Sequence, residues 1–184
     1  MSRFDFDGDE ESIPWKWWEQ IVSNALGGRR GQAALAEIEE ALLTLPEPKL
    51  IEGHLATKDS VCTIGALVAH KRAQRDAVDI ATAIASIAAD KPCWCGHSRD
   101  EHGGGACSGK RWGGSACSCD EYEQDTEEAF ETAEAGKAEG LAWSVAWHLA
   151  YLNDEQMGGL TPEERYDKML AWVRRAQGKD AVAA

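Results

Sequence analysis

The 184-residue sequence has no apolar run long enough to cross a bilayer, and its first residues lack the apolar segment of a secretory signal. It also lacks the zinc-protease motif H-E-x-x-H and the nucleophile motif G-x-S-x-G. Basic residues are scarce, with 19 Lys and Arg against 32 Asp and Glu and a formal net charge of −13. We therefore expect a cytoplasmic protein with no membrane association, no recognisable catalytic constellation and no basic surface for nucleic acid.

Cysteine and histidine are concentrated in one stretch. Five of the six cysteines and two of the five histidines lie between positions 93 and 119. The candidate metal ligands are Cys93, Cys95, His97, His102, Cys107, Cys117 and Cys119. Thiolate and imidazole groups are the donors that zinc prefers. Since no secretory signal indicates an oxidising compartment, the cluster favours bound zinc over disulfide bonds.

The number of zinc ions stays open at this level. Seven donors exceed the four that one tetrahedral ion uses, and they are one short of two separate ions. One ion could use four donors, or two ions could share a thiolate or recruit Asp100 or Asp120. The four donors favoured for a single ion are Cys95, His102, Cys117 and Cys119. Because a catalytic ion keeps an open coordination position, this donor-rich set predicts structural zinc.

Apolar residues at helical spacing predict a mainly α protein, with a single bundle-like helical domain and a small irregular zinc-binding insertion. The predicted divisions are an acidic flexible tail (1–11), a helical domain (12–90 and 123–177), the metal-binding insertion (91–122) and a frayed tail (178–184). Predicted helices cover 12–27, 30–45, 61–72, 76–89, 126–135 and 141–152, with a last one after Pro162.

Three local patterns sharpen this prediction. Residues 141–152 are apolar on nearly every face, which is typical of a helix in the middle of a bundle. Gly136 is expected to interrupt the preceding helix, and residues 153–160 are expected to form a loop. Thr161 with Glu164 predicts a capping box at the start of the last helix.

The first predicted helix is rich in tryptophan. Its apolar face comprises Trp15, Trp18, Val22 and Ala25, widened by Trp17 and Ile21. Clustered tryptophans serve either as core anchors or as a binding patch, and we expect the core. His148 is likewise expected to be a hydrogen-bonded core histidine, and Cys62 a small buried residue.

Acidic residues are unevenly distributed. Residues 1–12 carry one basic and five acidic residues, and residues 120–139 carry one basic and nine acidic residues. A solvated surface is the simpler interpretation, and docking on a basic partner is the more specific one.

Several short stretches resemble a group of small helical proteins encoded by actinobacterial phages. They are Arg30-Gly31-Gln32-Ala33, Val61-Cys62-Thr63-Ile64-Gly65-Ala66, Asn153-Asp154-Glu155, and Thr161 to Tyr166 leading to Ala171-Trp172-Val173. The Cys/His stretch separately resembles an actinobacterial motif, C-x-C-G-H-x4-H followed by C and C-x-C, with Tyr122 as its closing aromatic residue. The resemblance implies a bacterial host cytoplasm as the setting and assigns no biochemical function.

These observations favour a non-enzymatic zinc-binding phage protein that acts through protein–protein interaction. In this interpretation it uses its own acidic surface to modulate a host factor. The partner is then a host or phage protein, and the oligomeric state stays open. One alternative is a nucleic-acid-binding regulator that uses the zinc insertion. The other is a zinc-dependent hydrolase with Asp100 or Glu101 as its base.

Overall fold

The computed structural model describes residues 15–90 and 128–179. In these ranges the chain is mostly helical and contains no β-strand beyond the isolated bridges of Val61 with Leu50 and Ala56. The helices are α1 (Trp15–Gly27), α2 (Arg29–Leu43), α3 (Thr63–Asp76), α4 (Ile80–Asp90), α5 (Glu128–Ala138), α6 (Trp143–Tyr151) and α7 (Pro162–Ala176). The prediction of a mainly α protein is confirmed. The predicted tail 1–11, the insertion 91–122 and residues 180–184 lie outside the described residues.

Helix α3 lies at the centre of the bundle. Every residue from Thr63 to His70 is buried, and α3 packs against α2, α4, α5 and α6. Small side chains let neighbouring backbones approach this closely: a Cβ atom added to Gly65 would lie 1.9 Å from the carbonyl oxygen of Leu55. Glycine at this position of the central helix thus permits its close contact with the preceding loop.

The prediction that residues 141–152 occupy the middle of the bundle is wrong for one face of α6. Trp143 is exposed, and Trp147 and Tyr151 are only half-buried. The opposite face, with Val145 and Leu149, is buried. Bulky aromatic side chains prevent close approach on every side of a helix, so α6 packs through its aliphatic face and carries its aromatic residues at the periphery.

Helices α1 and α2 meet at a tight turn. A Cβ atom added to Gly31 would lie 2.1 Å from the carbonyl oxygen of Ala25, so glycine is needed where the two helices join. Along α2, Leu35, Ile38 and Leu42 are buried at helical spacing, as the sequence predicts. The side chain of Glu39 lies beside them, at the contact between α2 and α7.

The start of α7 confirms the predicted capping box. The Thr161 hydroxyl accepts a hydrogen bond from the Glu164 backbone N–H at 3.3 Å, and the Glu164 carboxylate accepts one from the Thr161 N–H at 3.0 Å. Pro162 occupies the first helical position. Further along, the buried Arg165 donates to the Leu50 carbonyl at 3.0 Å and to the Glu52 carboxylate at 2.7 Å, which attaches α7 to the loop before α3.

Two predicted chain breaks are wrong. Helix α5 continues through Gly136 to Ala138, because the missing side chain at this position lets α5 pack closely against Ala146 of α6. The predicted loop after α6 begins instead as a π turn (Leu152–Gln156). Within it the buried Asn153 donates to the Ile51 carbonyl at 2.8 Å and accepts from the Thr63 hydroxyl at 3.2 Å. These bonds hold Asn153 in the core while the backbone stays helical.

Candidate functional site

The predicted metal ligands all lie in a part of the chain that the structure does not describe. These residues are Cys93, Cys95, His97, His102, Cys107, Cys117 and Cys119. Within residues 15–90 and 128–179, no group of three or more His, Cys, Asp or Glu side chains is arranged to hold a metal ion. The zinc site therefore stays a prediction.

Cys62, which lies outside the Cys/His stretch in the sequence, is a small buried residue, as predicted. It is buried immediately before α3, and its Sγ atom accepts a hydrogen bond from the Gly65 backbone N–H at 3.3 Å. The residue thus caps the N-terminus of α3, a role that small polar side chains usually take.

The segment that carries the predicted metal ligands joins α4 to α5. Helix α4 ends at Asp90 and α5 begins at Glu128, and both helices pack against α3. The two ends of the segment are therefore attached to helices that share one central neighbour.

Helix α1 carries an exposed apolar pair, Trp17 and Ile21, which we call the Trp17 surface. Trp17 is 69% exposed and Ile21 is 42% exposed. The two residues are four positions apart, so they are neighbours on one face of the helix. The opposite face of α1 contains the buried residues Val22 and Leu26.

The expectation that Trp17 and Ile21 belong to the core is wrong. The buried stripe of α1 is narrow, with Val22 and Leu26 at its centre and Trp18 and Ala25 along its edge. Trp17 lies about 100° from Trp18 around the helix axis, which places it beyond the contacts with α2 and α6. A periodicity count marks both positions as apolar but does not say how wide the buried stripe is.

The described part of the acidic run lies on α5, apart from Glu139, which follows the last residue of this helix. Glu131 is exposed, Glu134 and Glu139 are half-buried, and the Lys137 ammonium lies 3.3 Å from the Glu134 carboxylate. The Lys137 ammonium also lies 5.6 Å from the centre of the Trp143 ring, within range of a cation–π contact. This face of α5 is acidic, with one cation set among its carboxylates.

A cleft of about 450 Å³ opens between α1, α6 and α7. Its lining residues are Glu19, Val22, Ser23, Leu26, Gly27, His148, Leu152, Gln156, Trp172 and Ala176. The π turn contributes two of them, Leu152 and Gln156, so the irregular end of α6 forms one wall. Sequence periodicity assigned Val22 to a buried helix face but gave no signal that these three helices would leave a space between them.

His148 forms part of the cleft wall. Its side chain is buried, as predicted, and its ring lies 5.8 Å from the Trp172 ring and 6.5 Å from the Tyr151 ring. Burial lowers the pKa of His148, while the negative charge of Glu19 acts in the opposite direction. The net effect lowers this pKa below its usual value, so the imidazole is neutral at neutral pH.

Comparison with protein-family models, with curated proteins and with solved structures finds no match to this chain. Within the described ranges, no helix is both long and apolar enough to span a membrane.

Proposed function

We propose that this chain is a non-enzymatic, zinc-binding protein that acts by binding another protein through the Trp17 surface. The observation that supports this proposal best is the 69% exposure of Trp17 beside the exposed Ile21. Tryptophan is among the residues most enriched at the energetic centres of protein interfaces. It supplies a large apolar area at a low cost in conformational entropy.

The free energy that covering Trp17 would contribute is large enough to support an interface. Covering a tryptophan side chain removes on the order of 150–250 Å² from water, which is worth roughly 4–6 kcal/mol before the costs of association. Single exposed apolar residues are ordinary in folded proteins, and Leu43 and Val78 are examples here. Trp17 differs because its neighbour one turn away is also exposed and apolar, so the two form one continuous patch.

Zinc is the second part of the proposal. The donor set of five thiolates and two imidazoles suits zinc. It is large enough to fill every coordination position of a structural ion. Helices α4 and α5, which carry the two ends of the Cys/His segment, both pack against α3. This arrangement supports an insertion into a helical core, with zinc ordering a glycine-rich segment that has few apolar residues of its own.

Charge indicates the kind of partner. The chain carries a net charge of −13, and the exposed carboxylates of α5 belong to its most acidic region. Complementary charge steers association and disfavours acidic competitors, so the proposed partner is a basic protein. With the resemblance to phage proteins, the proposed role is modulation of a basic host factor in the bacterial cytoplasm.

Comparative capture from a lysate of an actinobacterial host tests the proposal. The baits are the tagged chain, the Trp17→Ala variant and the Leu43→Ala variant, in which an exposed leucine elsewhere is truncated. We expect one basic protein to be retained by the unchanged chain and by Leu43→Ala, and to be reduced at least about tenfold with Trp17→Ala. Equal retention by all three baits contradicts the proposal, as does retention by none.

A further inference from the structure

The cleft between α1, α6 and α7 is an open groove with both apolar and polar residues in its lining. Its volume of about 450 Å³ falls within the range of roughly 300–1,000 Å³ that is common for ligand pockets. It lies away from the Trp17 surface, because Glu19, Ser23 and Leu26 face it from the other side of α1. Any activity of the cleft is therefore independent of the proposed protein interface.

The apolar part of the lining can hold a flat or aliphatic body. Val22 and Leu26 of α1 face Leu152 and Ala176, and all four are buried or half-buried. The ring of Trp172 adds an aromatic wall beside the ring of His148, at a centroid distance of 5.8 Å. Contact with these groups provides affinity for an apolar moiety but no preference for a charge.

The polar part of the lining sets the charge preference. Among the residues that line the cleft, Glu19 has the one carboxylate, and the lining contains no lysine or arginine side chain. Ser23 and Gln156 add a hydroxyl and an amide. A carboxylate and an aromatic ring in the lining of one cleft are a combination that favours an ammonium group, through an ion pair and a cation–π contact with Trp172.

The backbone of the cleft wall is unusual. Leu152 and Gln156 belong to the π turn, whose closing bond joins the Met157 N–H to the Leu152 carbonyl at 3.1 Å. Short π-helical segments are rare and occur frequently at functional sites. In this turn the buried Asn153 donates to the Ile51 carbonyl at 2.8 Å, which anchors the turn whose Gln156 lines the cleft.

We propose that this cleft binds a small organic amine, with its ammonium group at Glu19 and its apolar body against Trp172. Three probes share one aromatic body and differ in charge: 2-phenylethylamine, 2-phenylethanol and 3-phenylpropionate. Their binding is measured by titration while the indole N–H resonance of Trp172 is followed by NMR, with Trp172→Phe to assign it. We expect the amine to bind about two- to fivefold more tightly than the alcohol, and the carboxylate to bind most weakly.

Two glycine variants form a matched pair. Gly27 lines the cleft, and a Cβ atom added there meets no atom within 4 Å, so the Gly27→Leu side chain has room to enter. Gly28 is adjacent, exposed and outside the lining, which makes Gly28→Leu the control. We expect Gly27→Leu to weaken all three probes roughly tenfold and Gly28→Leu to leave them unchanged.

The charge preference is tested by Glu19→Gln, which is expected to remove the difference between the amine and the alcohol. The Trp17→Ala variant is expected to bind the amine as the unchanged chain does, so failure of the protein interface and failure of this site are distinguishable. The proposal is overturned if no probe shifts the Trp172 resonance at a probe concentration of about 10 mM. This concentration is on the order of the dissociation constant of the weakest such fragments. It is also overturned if the carboxylate binds more tightly than the amine.

Discussion

Trp17 and Trp18 are consecutive residues of α1, yet Trp17 is 69% exposed while Trp18 packs against the hydrophobic core. We expect Trp17→Ala to change the free energy of unfolding by less than about 0.5 kcal/mol, as for other exposed positions. We expect Trp18→Ala to lower it by about 2–4 kcal/mol, because truncation removes packed aromatic area. Urea denaturation followed by circular dichroism measures both values. A loss above about 1 kcal/mol for Trp17→Ala would show that this side chain serves stability instead.

Gly65 gives the sharpest test of the central position of α3. An added Cβ atom would meet the Leu55 carbonyl oxygen at 1.9 Å, and the backbone of α3 is held by neighbours on all sides. We expect Gly65→Ala to lower the free energy of unfolding by about 2 kcal/mol or more, since overpacking forces a backbone shift. Gly27→Ala is the control, because a Cβ atom there meets nothing within 4 Å. A Gly65→Ala variant as stable as the control would refute the close approach of α3 to the loop that precedes it.

Glu39 makes stability depend on acid pH. Hydrogen bonds from Lys179 and then Arg174 lower the pKa of this carboxyl from 4.5 to about 2, against the opposing effect of burial. A lowered carboxyl pKa stabilises the folded state above pH 4.5, and this contribution is lost as pH falls toward 2. We expect Glu39→Gln to lower the free energy of unfolding by about 1–2 kcal/mol at pH 7, a value reduced by solvent screening at the exposed cations.

The check on Glu39 is a series of unfolding measurements between pH 2 and pH 7. The difference between the unchanged chain and Glu39→Gln is expected to shrink continuously below pH 4.5 and to be nearly absent at pH 2. Arg174→Gln removes one of the two cations, so its loss at neutral pH is expected to be smaller. A difference that stays constant across this range would mean that Glu39 does not titrate with a lowered pKa.

Zinc content tests the predicted metal site directly. Elemental mass spectrometry of protein purified without chelator is expected to give one or two equivalents of zinc per chain. Cys95→Ser and Cys119→Ser are expected to lower this content, because each removes a predicted thiolate donor. Cys62→Ser is the matched control: Cys62 caps α3 within the helical core, and serine is a good capping residue. Chain without zinc, with its cysteines reacting as thiols, would contradict the metal site.

Much of the fold was predictable from local chemistry. The capping box of Thr161 and Glu164 fixed the start of α7, and the spacing of Leu35, Ile38 and Leu42 fixed the buried face of α2. Both signals are confined to a few turns of one helix, where side chains at i, i+3 and i+4 are neighbours whatever the rest of the chain does.

The features that sequence reasoning missed depend on distant residues. The π turn at Asn153 is held by two distant residues. The carbonyl of Ile51 lies 102 positions earlier in the sequence, and the hydroxyl of Thr63 lies 90 positions earlier. The central place of α3 follows from its packing against four other helices and from the close approach of Leu55 to Gly65, which no count of apolar residues reveals. The exposure of Trp17 depends in the same way on where α2 and α6 stop covering α1.

The central claim is that the Trp17 surface contacts another protein. Photocrosslinking in cells tests this claim most directly. A photoreactive phenylalanine analogue is placed at position 17 in one variant and at position 43, the exposed leucine of α2, in another. Irradiation in an actinobacterial host is expected to give one discrete adduct from position 17, containing a basic protein, and none from position 43. No adduct from position 17, or the same adducts from both positions, would contradict the claim.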